Sequence, residues 1–144
     1  MIAKTKTFEI TMNRTIPASP DEAFDAWLDP ANPGTPWNNS EKLVLEPKVG
    51  KLFYFRHVME GVDLPHFGCF TALDRAKKIQ YTWMSRHTRG TESIVTITLQ
   101  KKGADTLLSL NHAGLPDDEM GHAHEGGWNH YLGIFEGRFV AARA

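Results

Sequence analysis

Seven histidines are the side chains of this sequence best suited to acid–base or metal chemistry. They are His57, His66, His87, His112, His122, His124 and His130. His122 and His124 are close in sequence, but side chains two positions apart on a helix diverge by about 200° and cannot both reach one ion. The HExxH motif of zinc enzymes is also missing. We therefore expect no metal site.

General acid–base catalysis would require several titratable groups to converge on one point. The candidates are His57, His112, Tyr81 and Glu125. Their spacing follows no known pattern, and the chain has no nucleophile elbow, phosphate-binding loop or GxGxxG motif. The catalytic residues are thus unknown at this level, no cofactor is expected, and His112 is more simply interpreted as a buried histidine with a hydrogen-bond partner. The lone Cys69 is interpreted as a small apolar residue without a redox role.

Aromatic side chains are numerous, with four Trp, three Tyr and eight Phe. Alternation along predicted strands places several rings on one face, and helical spacing places others opposite them. Such a surface predicts either a packed core or a largely apolar ligand pocket with a few polar groups. The predicted lining residues are Trp37, Phe53, Phe55, Tyr81, Trp83, His112, Gly127, Trp128 and Tyr131.

A strand, a short helix, six further strands and a long helix carry these residues. Thr7–Ile16 alternates between apolar and polar residues, and Ser19-Pro20-Asp21-Glu22 is a capping box that starts the short helix before Asp29-Pro30 ends it. The six further strands are predicted at residues 41–46, 51–58, 67–73, 78–85, 91–100 and 106–112. Their short connections predict an antiparallel meander.

The long C-terminal helix is predicted from residues with helical spacing, which are Trp128, Tyr131, Leu132, Phe135 and Phe139. Gly126 and Gly127 lie within it, and each costs about 1 kcal/mol relative to alanine. We expect an offsetting close approach to the helix backbone, either by the sheet or by a molecule held against it. A one-faced sheet covered by this helix makes the chain an α+β protein.

The composition argues against several classes of function. A chain of 144 residues predicts one domain spanning residues 1–144, and a net charge of -1 without a basic run argues against nucleic acid as a partner. No stretch of 18 apolar residues or secretion signal is evident, which predicts no membrane span and a cytoplasmic location.

Short motifs also occur in a specific order from about Thr7 to Phe139. They are Ile16-Pro17-Ala18-Ser19-Pro20, Ala26-Trp27, Asp29-Pro30, Trp37, Val49-Gly50-Lys51-Leu52-Phe53, Gly68-Cys69-Phe70, Ile79-Gln80-Tyr81-Thr82-Trp83, residues 93–99, residues 106–112 and Gly127-Trp128. This order resembles the START-like (SRPBCC) superfamily and, within it, the activator-of-heat-shock-protein-90-ATPase homologues. Two departures are Lys51, which replaces the second glycine of a pair, and a segment 31–39 rich in Pro, Gly and Asn.

The resemblance implies a helix-grip (START/Bet v-like) fold, in which a curved antiparallel sheet of about seven strands wraps around the long helix. One or two short helices would follow the first strand. The superfamily binds apolar small molecules, so the leading hypothesis is a small apolar or aromatic ligand held between sheet and helix. His112, Tyr81 and Trp128 would supply its polar contacts.

Two alternatives remain open. One is a partner-binding module related to chaperone ATPase activators, although the eukaryotic activators carry a separate N-terminal domain that this sequence does not show. A homodimer formed through a sheet edge or through the loop around Trp37 belongs to the same class of interpretation. The other alternative is a pocket enzyme that uses histidine and tyrosine for acid–base chemistry.

Overall fold

One curved antiparallel sheet of seven strands forms the body of the molecule, as a computed structural model describes it for residues 6–143. The strands are β1 (Thr7–Ile16), β2 (Lys42–Val44), β3 (Leu52–Met59), β4 (Val62–Asp74), β5 (Lys78–Ser85), β6 (Ser93–Lys102) and β7 (Asp105–Pro116). Their spatial order is β1-β7-β6-β5-β4-β3-β2. The predicted meander is confirmed, and β1 joins it by pairing with β7, which places β1 and β2 at the two edges.

A short helix, α1 (Pro20–Trp27), follows β1 and starts at the predicted capping box. The Ser19 hydroxyl accepts a hydrogen bond from the backbone N–H of Glu22 at 3.2 Å, and the Glu22 carboxylate accepts one from the N–H of Ser19 at 3.3 Å. These bonds satisfy backbone donors that the first turn of a helix leaves free.

The long helix α2 (Glu119–Arg143) covers the inner face of the sheet, as expected. The carboxylate of Asp118 accepts from the N–H of Gly121 at 2.9 Å at its start. Its buried side chains are Trp128, Leu132, Phe135 and Phe139, all members of the predicted apolar stripe.

The hairpin between β3 and β4 is longer than the sequence indicated. We expected β4 to begin at Phe67, yet it begins at Val62, directly after a two-residue turn at Glu60-Gly61 in which both residues have positive φ. Pro65 made this segment look unlike a strand, because proline lacks the backbone N–H that a strand interior normally uses. It is tolerated because β4 pairs with β5 only from His66 onward, so the missing N–H faces no ladder partner there.

The other differences are smaller. Strand β2 has three residues instead of the expected six, and β7 runs on to Pro116. A short 3-10 helix at Arg86–Thr88 follows β5, where the sequence indicated only a connection. Residues 31–39 form turns without a second helix.

The loop after α1 packs against α2. Gly34 has φ +87°, and a Cβ placed on it would lie 2.4 Å from the backbone nitrogen of Phe135, so only glycine fits this close approach. Trp37 is anchored there because its Nε1 donates to the carbonyl of Trp27 at 2.7 Å. This loop closes one end of the space between sheet and helix.

Candidate functional site

A cavity of about 460 Å³ lies at the opposite end of that space, between the β3–β4 hairpin and the first half of α2. We call it the hairpin cavity. Its wall is formed by His57, Val58, Met59, Leu64, His66, Trp83, His87, Met120, Ala123, His124, Gly127, Trp128, His130 and Tyr131. Five of the seven histidines are in this wall. The cavity is open to solvent, because Met59, Ala123 and His130 are exposed.

Two tryptophans form the inner part of the wall. The rings of Trp83 and Trp128 have centroids 5.3 Å apart, and the two residues are only 4% and 2% exposed. Tyr131 adds a third ring 5.9 Å from Trp128. Packed neighbours fix these rings, so the wall is largely preformed.

A chain of buried hydrogen bonds holds Trp128 in place. Its Nε1 donates to Nδ1 of His112 at 2.9 Å. Because indole is only a donor, Nδ1 carries no hydrogen, and Nε2 of His112 is the protonated nitrogen that faces the hydroxyl of Ser93 at 2.8 Å. The Ser93 hydroxyl in turn donates to the carbonyl of Trp83 at 2.7 Å. One chain thus links the two tryptophans through a single histidine tautomer.

His112 is held neutral by this arrangement. It is fully buried, and burial, reinforced by repulsion from His124, lowers its pKa from 6.5 to about 2. Protonation at Nδ1 would also set a second N–H against that of Trp128. His112 therefore positions Trp128 from behind the wall and has no free nitrogen for a ligand.

Three wall histidines are oriented by backbone carbonyls. His57, His66 and His124 each donate one ring N–H to such a carbonyl, which can only accept. The accepting carbonyls belong to Pro36 (2.7 Å from Nε2 of His57), Leu64 (3.0 Å from Nδ1 of His66), and both Met120 and Gly121 (3.1 Å from Nδ1 of His124). In the neutral ring, the second nitrogen is the basic one and has no hydrogen-bond partner among residues 6–143.

The wall histidines disfavour one another's charge. Burial is the main cause that lowers the pKa of His66 to about 4, and repulsion from His57, His87 and His124 adds to it. Burial also lowers the pKa of His124. At neutral pH these two half-buried imidazoles are therefore uncharged.

The structure divides the predicted lining residues into two groups. Trp83, Gly127, Trp128 and Tyr131 lie in the wall of the hairpin cavity. Trp37, Phe53, Phe55, Tyr81 and His112 do not, and each is at most 1% exposed. The inner face of the sheet was identified, but the loop bearing Trp37 fills its other end. Trp37, Phe53, Phe55 and Tyr81 form a packed aromatic cluster there, with Trp37 and Tyr81 at 5.5 Å, whereas His112 lies behind Trp128.

Sequence reasoning missed most of the wall, including His66, His87 and His124. The sequence shows that histidines are numerous, but their convergence on one cavity depends on the early start of β4 and on the 3-10 helix. An uninterrupted strand from residue 62 would have been the signal for His66, because it places His57 and His66 on the two strands of one hairpin.

The four acid–base candidates do not converge. Only His57 lies in the cavity wall, and Glu125 is exposed and outside it. Tyr81 is buried with its hydroxyl accepting from Nε1 of Trp27 at 3.4 Å, and burial raises its pKa.

The paired glycines of α2 face open space. No heavy atom of the described residues, apart from their immediate surroundings in the helix, lies within 4 Å of a Cβ placed on Gly126 or Gly127. The expected close approach of the sheet is therefore wrong. Gly127 is in the cavity wall and Gly126 is not, so a molecule bound in the cavity could approach the helix backbone only at Gly127.

Within residues 6–143, no group of three or more His, Cys, Asp or Glu side chains is arranged to hold a metal ion. Neither helix in the same range combines the length and the apolar character needed to cross a membrane.

Known structures share this architecture. Protein CV1439 from Chromobacterium violaceum is 23% identical, with a TM-score of 0.78 over 91% of this chain and 96% of its own. Mll3558 from Rhizobium loti is 20% identical, with a TM-score of 0.76 over 94% and 99%. CalU16 from Micromonospora echinospora is 24% identical, with a TM-score of 0.66 over 92% and 75%. At these identities the likeness concerns the fold.

No curated protein matches the sequence. Residues 17–139 do match a protein family described as "Activator of Hsp90 ATPase homolog 1-like protein". That range includes the capping box of α1, strands β2 to β7 and most of α2. Together with the helix-grip architecture, it shows that the chain belongs to the Activator of Hsp90 ATPase homolog 1-like family of the START-like (SRPBCC) superfamily.

Proposed function

We propose that this protein binds a small, largely apolar molecule in the hairpin cavity. The observation that supports this proposal is the cavity itself. Its volume of about 460 Å³ lies in the usual range for ligand sites, roughly 300–1,000 Å³. Its inner wall consists of ring surfaces held in place from behind. The START-like fold supports the proposal as a scaffold that encloses space between sheet and helix.

Ring burial would supply most of the affinity. A two-ring guest that buries about 200 Å² of apolar surface gains roughly 5 kcal/mol at about 25 cal/mol per Å². Loss of translational and rotational freedom offsets part of this gain. We therefore expect simple aromatic probes to bind weakly, in the micromolar to millimolar range, and a guest that also uses the polar wall groups to bind more tightly.

Calorimetric titration with 2-naphthalenemethanol, a neutral two-ring probe, tests the proposal. Ala123→Trp places a bulky ring in the cavity wall, whereas Ala141→Trp places the same ring on an exposed position of α2 outside it. We expect the first variant to lose at least tenfold in affinity and the second to bind like the unmodified protein. No binding by the unmodified protein, or equal loss in both variants, would reject the site.

A partner-binding role is the second candidate. Val58, Met59 and Val62 are 43%, 63% and 46% exposed at the hairpin tip, which makes an apolar surface there. The family description names an activator of the Hsp90 ATPase, so the matching test is ATPase stimulation of Hsp90 by the purified protein, with Met59→Asp as the variant that should abolish it. Either function would be cytoplasmic in this proposal, a compartment that keeps the lone Cys69 thiol reduced.

A further inference from the structure

The wall of the hairpin cavity has an unusual set of titratable groups. Five imidazoles and the Tyr131 hydroxyl are the only ones, because no Asp, Glu, Lys or Arg is among its residues. The imidazoles come from four separate elements: His57 from β3, His66 from β4, His87 from the 3-10 helix, and His124 and His130 from α2. His112 differs from them, because both of its ring nitrogens have hydrogen-bond partners.

The polar groups of the wall are also incompletely paired. Each of His57, His66 and His124 uses one nitrogen on a backbone carbonyl, which fixes the tautomer and leaves the other nitrogen basic. Trp83 adds a buried indole N–H for which residues 6–143 supply no acceptor. A ligand oxygen that reached Nε1 of Trp83 would pair a buried donor that otherwise has no acceptor, and would be stabilised there.

From this geometry we infer that the natural guest is an apolar organic acid, and that one wall imidazole becomes protonated when its carboxylate binds. The inference rests on the proposed function, since it specifies the ligand class of the same cavity. The carboxylate arrives ionised, and one proton from solvent attaches to the basic nitrogen of a wall histidine. The result is an imidazolium–carboxylate pair inside the cavity, with charge and protons balanced.

Burial lowers the pKa of His66 and of His124, so neither imidazole is charged in the free cavity at neutral pH. Every titratable group of the wall is another histidine or Tyr131, and His112 behind it is also neutral. Asp118, which faces His124 from the start of α2, is already paired with Arg89. A carboxylate therefore brings the counter-charge that the wall lacks.

A cationic guest fits less well, although the rings could contact it. Cation binding in aromatic cages is strengthened by desolvation, but here the cation would lie beside basic imidazoles with no carboxylate on the wall. Any proton taken up by a histidine would then repel the guest. The charge pattern of the wall thus favours an acid over an amine of the same shape.

Three probes of similar shape test whether the cavity prefers an acid to an alcohol and to an amine. They are 2-naphthoic acid, 2-naphthalenemethanol and 2-naphthylmethylamine. Calorimetry at pH 7 in two buffers of different ionisation enthalpy gives the number of protons bound with each probe. We expect the acid to bind at least tenfold more tightly than the alcohol, with uptake approaching one proton, and the amine to bind most weakly. Affinity for the acid should decline toward pH 8.5, where the imidazolium is harder to form.

Histidine variants identify the proton acceptor. His66→Gln and His124→Gln keep a hydrogen-bonding side chain but remove the titratable group, so each variant should reduce the proton uptake that accompanies binding of the acid. His122→Gln is the matched control, because His122 is exposed on α2, paired with Asp117 and outside the wall.

The outcomes separate the two proposals. Binding of the alcohol without a preference for the acid, or acid binding without proton uptake, overturns the inference and leaves the cavity function standing. Failure of all three probes overturns both. Proton uptake that His122→Gln abolishes as strongly as His66→Gln and His124→Gln would also reject the cavity histidines as acceptors.

Discussion

Histidine serves two different purposes within a few ångströms in this molecule. The rings of His112 and His124 have centroids 5.1 Å apart, but His112 has both nitrogens in buried hydrogen bonds and His124 has one nitrogen left. The first sets the position of an indole, and the second lies in the wall that a guest would touch. Residue type alone does not separate these purposes; the number of satisfied nitrogens does.

Removal of the His112 ring should be costly for folding. In His112→Leu, the buried N–H of Trp128 loses its acceptor and the hydroxyl of Ser93 loses a partner, so we expect the free energy of unfolding to fall by about 2–4 kcal/mol. His112→Gln retains an acceptor and a donor and should recover part of the loss. Urea denaturation followed by tryptophan fluorescence measures both. If leucine were tolerated as well as glutamine, the hydrogen-bonded chain would not be what stabilises Trp128.

At the scale of elements, α2 consists of two unlike halves. Its second half packs Leu132, Phe135 and Phe139 into the core, while its first half spans the hairpin cavity and contains Gly126 and Gly127. Glycine has a low helix propensity, and nothing in the described protein uses the space above these two residues. Stability alone would favour alanine at both positions.

The paired glycines give a matched experiment. Gly126→Ala and Gly127→Ala should each raise the free energy of unfolding by about 1 kcal/mol, because alanine is the better helix former. Only Gly127→Ala adds a methyl group to the cavity wall, so only it should weaken binding of 2-naphthoic acid. Thermal denaturation and calorimetry measure the two effects. Equal affinity in both variants would show that the guest does not approach the backbone at Gly127.

The elements were largely predictable from the sequence, and the site was only partly so. Alternation and helical spacing act locally, so β1, α1 and β5 were found near their observed bounds, and α2 was identified from its apolar stripe. The cavity depends on long-range geometry instead. The proline at position 65 argued against a strand there, so the start of β4 was missed. No local pattern shows that the Trp37 loop fills one end of the space between sheet and helix while the other end stays open.

For the whole molecule, two histidines that stay neutral in the folded chain, the buried His112 and the half-buried His66, make stability depend on pH. Above pH 6.5, His66 and His112 are neutral in both folded and unfolded chains and add no pH dependence. Below pH 6.5, the unfolded chain binds protons that the folded chain excludes, because the folded pKa values are lowered to about 4 for His66 and about 2 for His112. Folding stability must therefore fall as the pH decreases through this window.

The expected change in the free energy of unfolding with pH is large enough to measure. Between pH 7.5 and 5.5 the two histidines together should lower the free energy of unfolding by about 2–3 kcal/mol, since each excluded proton contributes about 1.4 kcal/mol per pH unit below 6.5. His112→Gln should show a shallower decline, and the exposed-site variant His122→Gln should keep the original one. Urea denaturation at several pH values gives the slopes. A flat profile across this range would mean that these histidines titrate normally in the folded chain.

The separation between a filled end and an open end has a consequence for redesign. The aromatic cluster around Trp37 and Tyr81 belongs to the buried core, whereas several residues of the cavity wall are exposed. Substitutions at exposed wall positions such as Val58, Met59 and His130 therefore change the shape and polarity of the cavity at little risk to folding. A library varied at these positions alone, in an unaltered frame, is a compact route to receptors for new small molecules.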